Sequence, residues 1–200
     1  VPEGRVVVQP HFLYADDLDA AEPDTQDSAL STQPFVFAAR LVPEKGVATL
    51  LKAHAAAPEL PLTIVGEGPL APDPLQPPFA GYQPHGETLR RIRAARALVF
   101  SSEWPEGCPC TIVEAMALGR PVIASRVPGA AELVEDGVTG LLFEPGDARG
   151  LAACMKKLHE DADLARRLGQ AGRARYEERH SPEAGYARMV EVCRRVNLAV

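Results

Sequence analysis

Along residues 34–147, short apolar runs alternate with segments of helical period, and that alternation predicts an architecture. Residues 35–39 (Phe-Val-Phe-Ala-Ala) form the continuous apolar run that a strand covered on both faces requires. Val47, Leu50, Leu51 and His54 follow at helical spacing. Residues 62–65 predict another strand, closed by Gly66-Glu67-Gly68-Pro69, and residues 79–82 a short one. A helix over 87–96 turns Leu89 and Ile92 inward; residues 97–100, 121–124 and 140–143 predict strands, and 111–118 a helix. From Ala148 onward the chain is helical in pattern. Strands alternating with helices through short loops imply an α/β fold: a doubly wound parallel sheet, Rossmann-like.

The flanks break this rhythm. Residues 5–9 (Arg-Val-Val-Val-Gln) predict a short buried strand. Residues 16–33 carry Asp16, Asp17, Asp19, Glu22, Asp24 and Asp27 with no Lys or Arg, and read as a loop or linker that buries too little apolar surface to order itself. Pro72, Pro74, Pro77 and Pro78 exclude a helix from one crossover. Ser181-Pro182-Glu183 is a helix start, with Ser as cap and Pro at the first helical position. Behind it, Tyr186, Met189, Val190, Cys193 and Val196 make an apolar stripe that either covers the domain's own core or faces a partner domain. The division expected is a strand and acidic linker over 1–33, a Rossmann-like domain over 34–180 and a terminal helix over 181–200.

Composition narrows the class. Of 200 residues 46% are hydrophobic and 24% charged, the balance of an ordinary globular domain. A formal net charge of −6 speaks against general binding to nucleic acid or anionic membrane. No apolar run reaches the roughly 18–20 residues of a membrane span. Four cysteines, none in a C-x-x-C pair, read as reduced thiols of a cytoplasmic protein. The chain begins at Val1 rather than Met, and its 19 prolines are about twice the usual share.

In an open α/β sheet ligands bind beyond the carboxyl ends of the strands, so the exit loops are the places to search. The loop after residue 39 holds Arg40 and Lys45, followed by Gly46 and a helix. A forked guanidinium and a mobile ammonium suit a diphosphate, although an ordinary solvated loop with an Arg–Glu pair has the same composition. The loop after residue 100 carries Glu106, and a helix beginning near Pro109 carries Glu114, about 7 Å along its axis. Two carboxylates thus flank a helix N-terminus, which attracts anions through its free N–H groups. Glu114 can accept both hydrogen bonds of a ribose diol, as the acidic residue of dinucleotide folds does. Taken singly, Glu106 reads as capping charge and Glu114 as an exposed helix residue.

Arg40-Leu-Val-Pro-Glu-Lys45-Gly46, Val65-Gly-Glu-Gly-Pro69, Glu106 and Glu114 with the Ala115-Met-Ala-Leu-Gly-Arg-Pro121-Val run, and Gly137-Val-Thr-Gly-Leu-Leu-Phe143 stand in that order. Together they resemble the donor-binding half of retaining glycosyltransferases of the GT-B fold, the glycosyltransferase group 1 (GT4-like) family. The resemblance covers about residues 34–147. It implies a nucleotide-diphospho-sugar ligand, a UDP- or GDP-sugar, transferred with retention and without a metal or other cofactor. By carry-over Arg40 and Lys45 bind the diphosphate, Glu114 the ribose hydroxyls and Glu106, as the catalytic residue, the hydroxyls of the transferred sugar. The backbone amides of Cys108, Cys110 and Thr111 lie near sugar and phosphate, with Gly66 in the donor-site turn and Gly81 and Tyr82 near the base. Cys108-Pro109 stands where the family often has Phe-Gly, removing one amide donor. Pro10-His11-Phe12 stands where Pro-Asn followed by Gly or Phe is common, and the proline-rich crossover replaces a helix. Members are roughly twice as long and carry an N-terminal acceptor-binding domain. The expectation is therefore an excised donor half, inactive in transfer alone, whose terminal helix faces the absent domain or a second copy. Membrane contact is expected at most peripherally, in the full-length protein.

Other readings carry less. Asp17-Leu18-Asp19 matches the Asp-x-Asp metal motif of the other glycosyltransferase architecture but lies in the acidic linker. His11, His54, His85, His159 and His180 show no i, i+4 pair, which argues against zinc. Cys108-Pro-Cys110 reads as packed thiols. Trp104 reads as a loop anchor in the core in preference to a platform for base or sugar. Arg90, Arg91, Arg93 and Arg96 read as a solvated basic face that can also steer an anionic donor or touch lipid phosphate. A dinucleotide-dependent oxidoreductase fails at residues 66–71, which do not match G-x-G-x-x-G. A non-catalytic nucleotide-binding or interaction module stays open as the alternative.

Overall fold

The computed structural model describes residues 33–71 and 79–195. The strand expected over 5–9, the acidic tract through Thr32 with its Asp17–Asp19 pair, the prolines of 72–78 and Val196 lie outside the described residues.

The strands are β1 (Phe35–Ala38), β2 (Leu62–Val65), β3 (Phe79–Gly81), β4 (Ala97–Phe100), β5 (Val122–Ser125) and β6 (Gly140–Phe143). All pair in parallel, in the spatial order β3-β2-β1-β4-β5-β6. The helices are α1 (Val47–Ala55), α2 (His85–Arg93), α3 (Cys110–Ala117), α4 (Ala130–Leu133), α5 (Ala148–Glu160), α6 (Ala162–Arg179) and α7 (Pro182–Arg195). The doubly wound parallel sheet expected from the alternation is present, and strand order reverses between β1 and β4. Such a switch point opens a crevice at the carboxyl ends of the two strands.

Each strand sends alternate residues to opposite layers, which explains the unbroken apolar runs. Phe35, Phe37, Ile64, Val99, Ile123 and Phe143 pack with Leu50 of α1 and Leu151, Met155 and Leu158 of α5. Val36, Ala38, Leu98, Phe100, Val122 and Ala124 pack with Ile92, Ile112, Met116 and Leu133 from α2, α3 and α4. Asp147 caps α5 and Asp161 caps α6 by accepting from backbone N–H groups of the first turn, and Ser181 accepts from Ala184 N at the start of α7, as its sequence predicts. Among the described residues no helix is long and apolar enough to cross a membrane.

Several boundaries move. Residue 82 falls outside β3, and the fifth strand runs Val122–Ser125 rather than 121–124. The helix expected over 111–118 runs Cys110–Ala117. The one expected over 87–96 runs His85–Arg93, and Arg96 is only 2% exposed. Its backbone N–H donates to Pro34 O, and its guanidinium donates to the carbonyls of Leu158 (2.7 Å) and His159 (2.8 Å) near the end of α5. Arg96 therefore satisfies helix-end carbonyls and does not belong to the basic face; on that face Arg90 and Arg91 both pair with Glu87. A 3-10 turn at Pro43–Lys45 and the single-turn α4 went unpredicted because neither is long enough to show a period. On α7 Tyr186 and Met189 are exposed while Gly185 is buried, so the stripe is not wholly spent on the core.

Candidate functional site

At the switch point the loop after β1 meets the loop after β4, and polar side chains fasten one to the other. Ser101 Oγ, directly after β4, lies 3.1 Å from the carbonyls of Lys45 and Gly46. The Ser102 proton has three acceptors in reach: Glu106 Oε1 at 2.8 Å, Glu44 O at 3.0 Å and Trp104 O at 3.2 Å. Ser125 Oγ donates to Ser102 O at 2.5 Å, and Thr49 Oγ1 donates to Glu103 Oε1 at 2.5 Å. Buried hydroxyls are costly unless bonded, so this network holds both loops in one arrangement.

Lys45 and Glu106, separated by 61 residues, meet in it: Lys45 Nζ donates to Glu106 Oε1 at 2.5 Å, with both side chains about one-fifth exposed. Both hydrogen bonds to the carboxylate fall on Oε1, and no described residue bonds Oε2. The ammonium has three donors, so pairing with Glu106 leaves two for another ligand. A neighbouring backbone enforces the position of Glu106. Its N–H donates to Pro128 O at 3.1 Å, and Gly129 packs so closely that a Cβ there would lie 2.0 Å from Glu106 O. Gly129, at φ +84°, also adopts a backbone conformation L residues rarely reach.

Glu114 is 6% exposed, on the first turns of α3, and its Oε1 lies 2.9 Å from His85 Nε2. The exposed helix residue that Glu114 alone predicts is thus a buried carboxylate. Pro109 precedes α3 and no side chain caps it, nor does its first turn carry an acid. Its amino end remains suited to an external anion.

Two hollows share Arg40. One, about 280 Å³, is lined by Arg40, Gly66, Tyr82, His85, Thr111 and Glu114 among others. The second, about 710 Å³, is lined by Arg40, Pro43, Lys45, Glu103, Trp104 and Glu106 among others. Arg40 is exposed and its guanidinium pairs with no described residue. Gly66 belongs to the first hollow by a close approach: its N–H donates to Gly81 O, and a Cβ would lie 1.9 Å from Ala39 O.

The structure thus brings together Arg40, Lys45, Gly66, Tyr82, Glu106, Thr111 and Glu114. Gly81, Cys108 and Cys110 line neither hollow. Cys108 packs against the core layer of α3, and Cys110 is exposed, its thiol pushed up by partial burial and then by Glu114. Trp104 is 68% exposed and lines the larger hollow, which overturns the core-anchor reading; the loop is held by Ser102 and Thr49 instead. Sequence reasoning missed His85, Ser102 and Gly129. Ser102 carried a usable signal, since polar residues directly after a buried strand mark its carboxyl end. His85 carried none, because its partner lies 29 residues away.

A cleft at the switch point of a six-stranded parallel sheet, with cations between two carboxylates, defines the Rossmann-like α/β class. Within it, the model of the family "Glycosyl transferases group 1" matches residues 32–161, and the chain belongs to that family. Glycogen synthase of Mycobacterium tuberculosis is 32% identical over 155 residues, 70% of this chain and 37% of its own length. The lipopolysaccharide core biosynthesis glycosyltransferase LpsE of Rhizobium meliloti is 32% identical over 166 residues, 78% and 47% of the two chains. The crystal structure of Anabaena HepE in complex with UDP superposes with a TM-score of 0.70 at 27% identity, over 81% of this chain and 49% of its own. The chain thus spans between about a third and a half of the length of these relatives.

Proposed function

We propose that this chain is the nucleotide-sugar donor-binding half of a retaining glycosyltransferase. The observation that carries the reading is the pair of hollows meeting at Arg40, with a buried carboxylate on one side and Lys45–Glu106 on the other. A nucleoside fits the Glu114 side, where the carboxylate accepts from the ribose diol and Tyr82 borders the base. The diphosphate lies across Arg40, Lys45 and the amino end of α3, near the Cys108, Cys110 and Thr111 amides. The sugar lies in the larger hollow, where Glu106 accepts from its hydroxyls and exposed Trp104 supplies an aromatic wall.

Catalysis then rests on the leaving group. As the glycosidic C–O bond to the diphosphate breaks, negative charge grows on its oxygens. The free donors of Lys45 and the α3 amides, held by the surrounding structure, meet that charge with little reorganisation and exposed Arg40 adds to them; preorganised charge of this kind supplies most of the rate enhancement in many enzymes. Each charge-assisted bond contributes about 1.5–3 kcal/mol. The acceptor attacks from the face the leaving group vacates, giving retention. No step here calls on a metal. UDP is the first donor nucleotide to test, because HepE is a relative crystallised with it.

Thermal-shift titration with UDP, GDP, ADP and their sugar conjugates tests the reading, since a ligand bound only to the folded state raises the melting temperature by mass action. The expected result is stabilisation by one diphosphate family, abolished in Glu114→Ala, with negligible transfer by the 200-residue chain alone. If no diphosphate nucleotide stabilises the protein at millimolar concentration, the reading is wrong.

A further inference from the structure

We infer that His85 is a positioning residue for ribose recognition, holding the Glu114 carboxylate in the orientation that accepts a 2′,3′-diol. The inference rests on the donor-site reading above and adds to it a residue that no family motif in the chain contains.

Three observations carry it. Glu114 is 6% exposed, and a buried carboxylate is costly unless something donates to it. His85 Nε2, at 2.9 Å, is the side-chain contact to that carboxylate among the described residues, and it reaches Oε1. His85 also lines the same 280 Å³ hollow as Tyr82, Gln83, Thr88, Thr111 and Glu114, so the contact is made at the wall where the nucleoside binds. A carboxylate offers about four acceptor sites, and an imidazole Nε2–H takes one of them. The others stay available to two ribose hydroxyls, with the carboxylate plane fixed beforehand. Without His85 the same side chain is free to rotate about its last torsion, whose preferences are broad, and diol recognition loses its fixed geometry. The backbone supplies the rest of the placement: His85 is the first residue of α2, directly after Pro84, whose restricted φ sets the entry of the chain into the helix.

The test compares nucleotides that differ only in the hydroxyl. Calorimetric titration of the full chain with UDP and 2′-deoxy-UDP, and with the GDP and ADP pairs, measures a ribose preference directly. The wild-type protein is expected to favour its ribonucleotide by about tenfold or more, the loss of one charge-assisted bond. In His85→Ala the preference falls to about twofold or less. His85→Gln, whose amide nitrogen can take the place of Nε2, restores most of it. Inorganic pyrophosphate, which meets only Arg40, Lys45 and the α3 amides, is expected to bind the wild type and His85→Ala equally, and this separates positioning from a folding defect. In a Glu114→Gln background, His85→Ala changes nothing further, as coupled residues require. An unchanged ribose preference in His85→Ala overturns the inference while the donor-site reading stands. Absence of binding by every nucleotide overturns both.

Discussion

Gly129→Ala places one methyl group where the structure has no room, and its consequence falls on Glu106, 23 residues earlier. The added Cβ would stand 2.0 Å from Glu106 O and 2.9 Å from its carbonyl carbon, where contacts under 3.0 Å are essentially never seen. The segment bearing Glu106 must retreat by about 1 Å, and in a close-packed interior it cannot do so without cost. Residue 129 sits at φ +84°, ψ −50°, a conformation that costs a non-glycine residue about 1–3 kcal/mol. Lengthening the Glu106 N–H bond to Pro128 O, now 3.1 Å, costs about 1 kcal/mol more. The total is about 3 kcal/mol, or roughly 6–12 °C in melting temperature for a chain of this size. Gly146→Ala is the matched control: φ is +77° but nothing lies within 4 Å of the new Cβ, so only the conformational cost of about 1 kcal/mol applies. Thermal unfolding of the three proteins by circular dichroism gives the comparison. The same 1 Å displacement separates Glu106 from Lys45 and Ser102, and misplacements of that size cost about a hundredfold in a positioned site. Melting of Gly129→Ala within about 2 °C of Gly146→Ala would refute the claim that this contact holds Glu106 in place.

Three further outcomes are expected. Arg40→Ala weakens nucleoside diphosphates by about tenfold to a hundredfold while leaving the free nucleoside unaffected, measured by calorimetry; equal losses for both contradict the diphosphate assignment. Arg96→Met leaves the carbonyls of Leu158 and His159 without their donor and lowers stability by about 2–4 kcal/mol, read as a lower urea midpoint at unchanged slope. The Cys110 thiol is raised by partial burial first and Glu114 second, so iodoacetamide reacts with a pH midpoint above that of free cysteine. Glu114→Gln removes the charge that disfavours thiolate, and the midpoint moves down; a midpoint that stays put rules out the Glu114 contribution.

The fold was legible because its signal is local. A strand covered on both faces must be apolar throughout, and residues 35–38, 62–65, 97–100 and 140–143 could be read to the residue or nearly so. Helix ends were read less well where tertiary contacts set them: the end of α2 depends on Arg96 being drawn to Pro34 and to the end of α5. Arg40, Lys45 and Glu106 could be named as candidates from their loops and Glu114 from the helix that follows one of them, since the carboxyl ends of strands are where an α/β sheet binds ligands. Trp104 was misread because an isolated tryptophan between Glu103 and Pro105 shows no period, and only its surroundings separate an anchor from an exposed ring.

The order of apolar and polar residues by itself determined the α/β class, the parallel sheet and the loops able to carry chemistry, because strand coverage and helical period act over a few neighbouring residues. The tertiary structure alone decided which of those residues meet. Lys45 reaches Glu106 across 61 residues, His85 reaches Glu114 across 29, and Gly129 fixes Glu106 by the absence of a side chain. Such contacts arise because the parallel sheet gathers the loops at the carboxyl ends of its strands, the first of them across the switch of strand order between β1 and β4, and no local pattern records that meeting.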